Sequence, residues 1–163
     1  MKFSHFDKAG KARMVDISGK EITDREAIAA GAVHMNPGTI SLIKEGSIQK
    51  GDVLGVARIA GIMAAKKTAE LIPMCHPLDV ASITVDFTFD ESRSRINIQA
   101  SAKTTGRTGV EMEALVAVSA AALTIYDMCK SADKEMVISD IMLLEKRGGK
   151  SGEFIRKQGT SQK

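Results

Sequence analysis

TGVEMEALVAVSAAALTIYDMCK, residues 108–130, reads as one long helix whose middle is apolar on every face. Ala, Leu and Met favour its interior, and Thr108 with Glu111 stands in the T-x-x-E spacing of a capping box, which starts the helix near Gly109. Residues 114–126 carry no charge, so a sheet, another helix or a second subunit must cover several sides of it. Charge returns only at the end, where Asp127 and Lys130 are helix neighbours at i, i+3 and Lys130 lies where the helix dipole favours a cation. Spacing alone favours a solvated surface pair there, worth about 0 to 1 kcal/mol.

Working outward, Val80, Ser82, Thr84 and Asp86 alternate with Ala81, Ile83, Val85, Phe87 and Phe89, the pattern of a half-buried strand. Ile96, Ile98 and Ala100 alternate with Asn97, Gln99 and Ser101 to give a second strand, and the polar stretch 90–94 makes the two a hairpin. A further strand is predicted at 135–145. Residues 52–70 predict a helix capped by Asp52, with a small-residue face of Ala57, Ala60, Gly61, Ala64 and Ala65, and ended by Pro73. In 25–35, Ala27, Ala29, Gly31, Val33 and Met35 alternate with larger or polar neighbours, which reads as a strand against the helix preference of the alanines. The order strand, helix, helix, strand, strand, helix, strand is satisfied by an α+β fold, an antiparallel sheet with helices packed on one face.

A chain of 163 residues is expected to form a single domain over 1–154 that buries roughly 70% of its extended surface. Residues 155–163 are expected to be a basic, disordered tail. Cys75 and Cys129, without a signal peptide or a membrane span, point to the reducing cytoplasm and to no disulfide framework. Residues 146–163 hold six Lys or Arg and one acid, a candidate anion site. Nucleic acid is the generic partner of such a patch, but the chain has no Trp and one Tyr to serve as platforms, so nucleic acid is not the expected ligand.

Three strings carry a specific signal: LIPMCHPL at 71–78, TGRTGVEMEAL at 105–115 and LTIYDMCK at 123–130. With MVDISGK at 14–20, KGDVLGVARIAGIMAAK at 50–66 and GGKSGEF at 148–154, the chain resembles the cyclic pyranopterin monophosphate synthase family, the molybdenum-cofactor protein C family. The resemblance implies a ferredoxin-like α+β fold and a homohexamer built as a trimer of dimers. It implies conversion of 3′,8-cyclo-7,8-dihydro-GTP into cyclic pyranopterin monophosphate with release of diphosphate. Asp127 and Lys130 are then the acid/base pair, with Lys50 as a second amine, and His76 and Lys146 bind or polarise the substrate. Met74, Cys75 and His76 become substrate contacts. The resemblance also leaves room for a transient contact with the radical enzyme that would supply the substrate.

The residues read on their own terms leave more open. Pro73 and Pro77 stiffen the loop that holds His76, which serves equally as a structural histidine or as a proton carrier and phosphate ligand. Cys75, His76 and Cys129 lack the spacing of a metal site, and adjacent Cys75 and His76 side chains in an extended loop point apart, which also argues against Cys75 as a nucleophile. No metal or resident cofactor is expected, although Mg2+ accompanying the triphosphate stays open. GGKSG is not a P-loop, because Leu144 stands where the first Gly is required. Lys146, Arg147 and Lys150 form a basic loop that neutralises a triphosphate or merely solvates a turn. Glu113 and Asp127 sit 14 residues apart, roughly 21 Å along one helix, so a small substrate meets both only between subunits. Glu111, Met112 and Glu113 then hold the base end across an interface, although capping its helix is the stronger role for Glu111. Lysines flanked by cations have lowered pKa values, which would let Lys50 or Lys130 act as a base. A non-catalytic nucleotide sensor using the same loops is the competing class.

Overall fold

The computed structural model describes residues 11 and 13–157. Its elements follow the order β1 (Thr23–His34), α1 (Pro37–Lys44), α2 (Val53–Ala65), α3 (Thr68–Leu71), β2 (Ser82–Asp90), β3 (Arg95–Gly106), α4 (Glu111–Cys129), β4 (Val137–Arg147) and β5 (Phe154–Ile155). The described strands form one antiparallel sheet in the order β2-β3-β1-β4-β5. Strands β1 to β4 with their crossover helices make the βαββαβ ferredoxin-like unit, and β5 adds an edge.

The expected hairpin is present, with Phe89 opposite Ile96, Phe87 opposite Ile98 and Val85 opposite Ala100. The alternation in 25–35 is also a strand, β1, whose Ala27, Ala29, Gly31 and Val33 are buried. Gly31 is there for contact: a Cβ on it would lie 2.6 Å from Val118 Cγ1 of α4. By length and composition α4 could cross a membrane, yet it is a core helix. Ala114, Ala117, Val118, Ala121, Ala122 and Ile125 are buried beneath the sheet and α2. Ala57, Gly61 and Ala65 form the small face of α2 that permits this approach, and a Cβ on Gly61 would stand 2.8 Å from the Ala117 carbonyl oxygen. The cover demanded by the girth of α4 therefore comes largely from within the chain.

Four boundaries differ from the sequence reading. The helix expected over 52–70 begins at the Asp52 cap, whose carboxylate accepts from Gly55 N at 2.9 Å, but breaks after Ala65. Buried Thr68 donates its hydroxyl to the Ala65 carbonyl at 2.9 Å, and Lys67 leaves helical geometry with ψ at 17°. The capping box on α4 does not form: Val110 occupies the N-cap without a side-chain bond, because Glu111 is drawn to Lys146 instead. Strand β4 starts two residues late, since Asp133 holds Glu135 N in a turn at 3.0 Å. The expected domain limit at 154 falls inside β5, where Ile155 pairs with Glu145 and Arg156 N donates to the Leu144 carbonyl at 2.8 Å. The remainder of the expected tail, 158–163, lies outside the described residues.

Candidate active site

Two polar clusters occupy opposite ends of α4. At its C-terminal end Asp127 is held between two ammonium groups. Lys130 Nζ lies 2.7 Å from Oδ1, and Lys50 Nζ lies 2.7 Å from Oδ2 and 2.8 Å from the Asp127 carbonyl oxygen. Lys130 arrives by helical spacing. Lys50 arrives from the turn before α2, where Gly51 takes a φ of 93° that admits the sharp entry into the Asp52 cap. The hydrogen bonds from Lys130 and then Lys50 hold the Asp127 carboxyl down to about 2. The same bond to Asp127 raises Lys130. The direction is opposite to the lowering by flanking cations that the sequence reading considered, because Asp127 rather than a second cation dominates the surroundings of Lys130.

At the other end of α4 a cleft of about 510 Å³ is bordered by Met74, Cys75, His76, Glu111, Met112 and Glu113. Val15, Ile17, Ile72 and Leu78 make much of its wall apolar. The stiff loop around Pro73 and Pro77 thus brings Met74, Cys75 and His76 to the same cavity, and Cys75 N is anchored to the Ile72 carbonyl at 3.0 Å. Cys75 and His76, expected to point apart, both border it. Burial raises the Cys75 thiol, with the Glu113 charge adding to the effect, which keeps it protonated and a poor nucleophile. Cys129 is a buried core residue whose thiol is pushed up to about 11, chiefly by burial. Glu113 is buried within the cleft wall. Desolvation raises its carboxyl, its own backbone hydrogen bond opposes that, and the Glu111 charge raises it further.

A smaller basic pocket of about 200 Å³ adjoins the cleft, and Lys20, Thr108, Gly109 and Glu111 border both. It is lined by Arg25, Lys146, Arg147 and Ser151, while Lys150 borders a wider opening beside Lys20 and Arg25. The GGKSG loop reaches this place because Gly148 and Gly149 take φ of 87° and 79°, and a Cβ on either would collide with Asp24 or Arg25 of β1. Lys146 thus stands at the Glu111 end of α4, its Nζ 3.3 Å from that carboxylate, a neighbourhood the sequence did not predict. Lys20 and Arg25 border the same pocket without any signal in the sequence. Lys20 lies in a loop without periodicity, and Arg25 gains its place only through pairing of β1 with β3, where its Nε donates to the Gly106 carbonyl at 2.8 Å. Among the described residues no group of three His, Cys, Asp or Glu side chains is arranged to hold a metal ion.

Residues 14–149, which hold the caged carboxylate and most of the half-apolar, half-basic cleft, match the model of the MoaC family. The chain belongs to the MoaC family. Over 155 residues it is 60% identical to a cyclic pyranopterin monophosphate synthase of Heliobacterium modesticaldum, covering 95% of this chain and 98% of that protein. It is 60% identical to the one of Pelotomaculum thermopropionicum, covering 94% and 91%, and 58% identical to the one of Chloroflexus aggregans, covering 96% and 95%. The groups described above from Val15 to Gly149 fall within the MoaC match, and Lys150 and Ser151 follow it.

Proposed function

We propose that this MoaC protein is a cyclic pyranopterin monophosphate synthase that converts 3′,8-cyclo-7,8-dihydro-GTP into cyclic pyranopterin monophosphate and diphosphate. The observation that carries the catalytic assignment is the Lys50–Asp127–Lys130 cluster, which exceeds what phosphate binding needs. Ring opening and closure require a proton donor beside the sugar and base, and Lys130 is kept charged for that role while Asp127, ionised at any working pH, orients both amines. Formation of the cyclic phosphate joins a ribose oxygen to the α-phosphorus and breaks the bond to the departing diphosphate. Lys146 and Lys150, with Lys20 and Arg25 beside them, supply cations for that leaving group. Met74, Cys75, His76, Glu111, Met112 and Glu113 receive the ring. His76, on the same cleft, is the further polarising group.

The two clusters lie at opposite ends of a helix of 19 residues, so this reading joins the Asp127 end of one copy to the Glu113 end of another. A homohexamer, a trimer of dimers, is the assembly we assign. Its support is the face of α2 that presents Val56, Ile59 and Met63 to solvent at i, i+3 and i+7. No resident cofactor is required, and Mg2+ would arrive with the triphosphate. The unpaired cysteines suit a reducing compartment, and we place the reaction in the cytoplasm. Incubating the purified protein with the cyclised GTP derivative should release diphosphate and yield a pterin of the expected mass, and Asp127→Asn should slow both by about 10²- to 10⁴-fold. Tight binding without release would favour a sensor.

A further inference from the structure

Glu111 and Lys146 stand at the seam between the apolar cleft and the basic pocket. Their ion pair spans 3.3 Å, with the side chains 30% and 25% exposed. Lys146 also donates to Ser151 Oγ at 2.9 Å, and the Glu111 carboxylate lies back over Gly109, in the space a Cβ there would need. Each charge is thus the other's ionic partner. Both residues are carried on regular elements, α4 and β4, so exchanging partners needs only side-chain rotation.

We propose that the Glu111–Lys146 pair is an exchange switch that makes recognition of the ring conditional on recognition of the phosphates. This rests on the proposed function in one respect, that the ring enters the cleft and the phosphates the basic pocket. A partly exposed pair of single charges is weakly held. An oligophosphate carries more charge and accepts several bonds, so it takes Lys146. The released Glu111 carboxylate then accepts from the N–H groups of a guanine-type ring. The ligand class selected is one that carries both parts: a free nucleoside leaves Lys146 on Glu111, and a free oligophosphate releases a carboxylate that finds no donor. The product has lost its diphosphate, so Lys146 returns to Glu111 and the grip on the ring loosens.

The test is calorimetric titration of the full chain with guanosine and with inorganic triphosphate, each alone and each in the presence of the other. For the parent, saturating triphosphate should tighten guanosine about fivefold, and guanosine should tighten triphosphate by the same factor. Lys146→Met frees Glu111, so guanosine alone should bind about fivefold tighter than to the parent, with no further gain from triphosphate. Glu111→Gln should bind triphosphate more tightly than the parent and show no coupling. Equal guanosine affinity with and without triphosphate in the parent, or no gain in Lys146→Met, would overturn the switch. If that happened while the parent still turned over its substrate, the proposed function would stand alone. Absence of binding by either probe together with absence of turnover would remove both. Circular dichroism of each variant confirms that the fold is kept.

Discussion

Asp127 is the residue on which the chemistry turns, and its electrostatics set a direction that kinetics can read. Its carboxyl is held at about 2 by the two lysines, so any acid limb in the rate profile near the ordinary aspartate range of about 3.9 belongs to another group. Replacing it by Asn removes the carboxylate that raises Lys130. The alkaline limb of whatever activity remains should therefore move to lower pH, as a profile of kcat against pH would show. An unmoved limb would mean that Lys130 is not the titrating acid. Lys130→Ala should cost about 10²- to 10⁴-fold in kcat. Glu113 presents the opposite sign. Its folded-state carboxyl is raised by burial, so ionisation costs stability as pH rises through the unfolded value and on to the folded one. Glu113→Gln should raise the thermal midpoint by a few degrees at pH 7, with the gain vanishing in acid where both states are protonated, while weakening substrate binding. A lower midpoint at pH 7 would show that the ionised carboxylate is stabilised in the fold.

At the scale of elements, the close crossing of α2 on α4 depends on Gly61. Gly61→Val pushes a branched side chain into the Ala117 carbonyl and Val85 and should cost about 1–3 kcal/mol in chemical denaturation. Asp133 is a second keystone. Its Oδ2 accepts from Asn36 N at 2.8 Å and from Thr39 Oγ1 at 3.2 Å, and Oδ1 from Glu135 N, which joins the start of α1 to the approach of β4. Asp133→Ala leaves those donors unpaired and should cost about 1–3 kcal/mol. Elements set by their own periodicity were legible in advance. The β2–β3 hairpin follows from alternation of Ile, Val and Phe with polar residues, and the strand in 25–35 follows from its small buried alanines. Features set by distant partners were not legible. The start of α4 depends on Lys146 of β4 drawing Glu111 away from a cap, and the break after Ala65 depends on the hydroxyl of a buried Thr68. In the site, Asp127 with Lys130 was readable because one helix spaces them. Arg25 was hidden because only sheet pairing brings it beside the GGKSG loop, and the seat of Lys50 on the Asp127 carboxylate was hidden because it depends on the packing of α2 against α4.

For the whole molecule, one chain holds the two halves of the proposed site at opposite ends of its central helix, and the apolar face of α2 remains open to solvent. Ile59, 64% exposed, is the probe of that face. Ile59→Asp should leave the secondary structure intact, reduce the particle mass in analytical ultracentrifugation and lower activity about tenfold or more. A variant that stays fully assembled would place the interface elsewhere. The most direct measurement is complementation by mixed subunits. Asp127→Ala and Glu113→Ala should each be inactive alone. Unfolding and refolding them together in equal amounts should restore about a quarter of the parental production of cyclic pyranopterin monophosphate, because that share of paired sites draws both intact ends from different copies. No recovery, in mixtures shown by mass to contain both subunits, would contradict a site shared between copies.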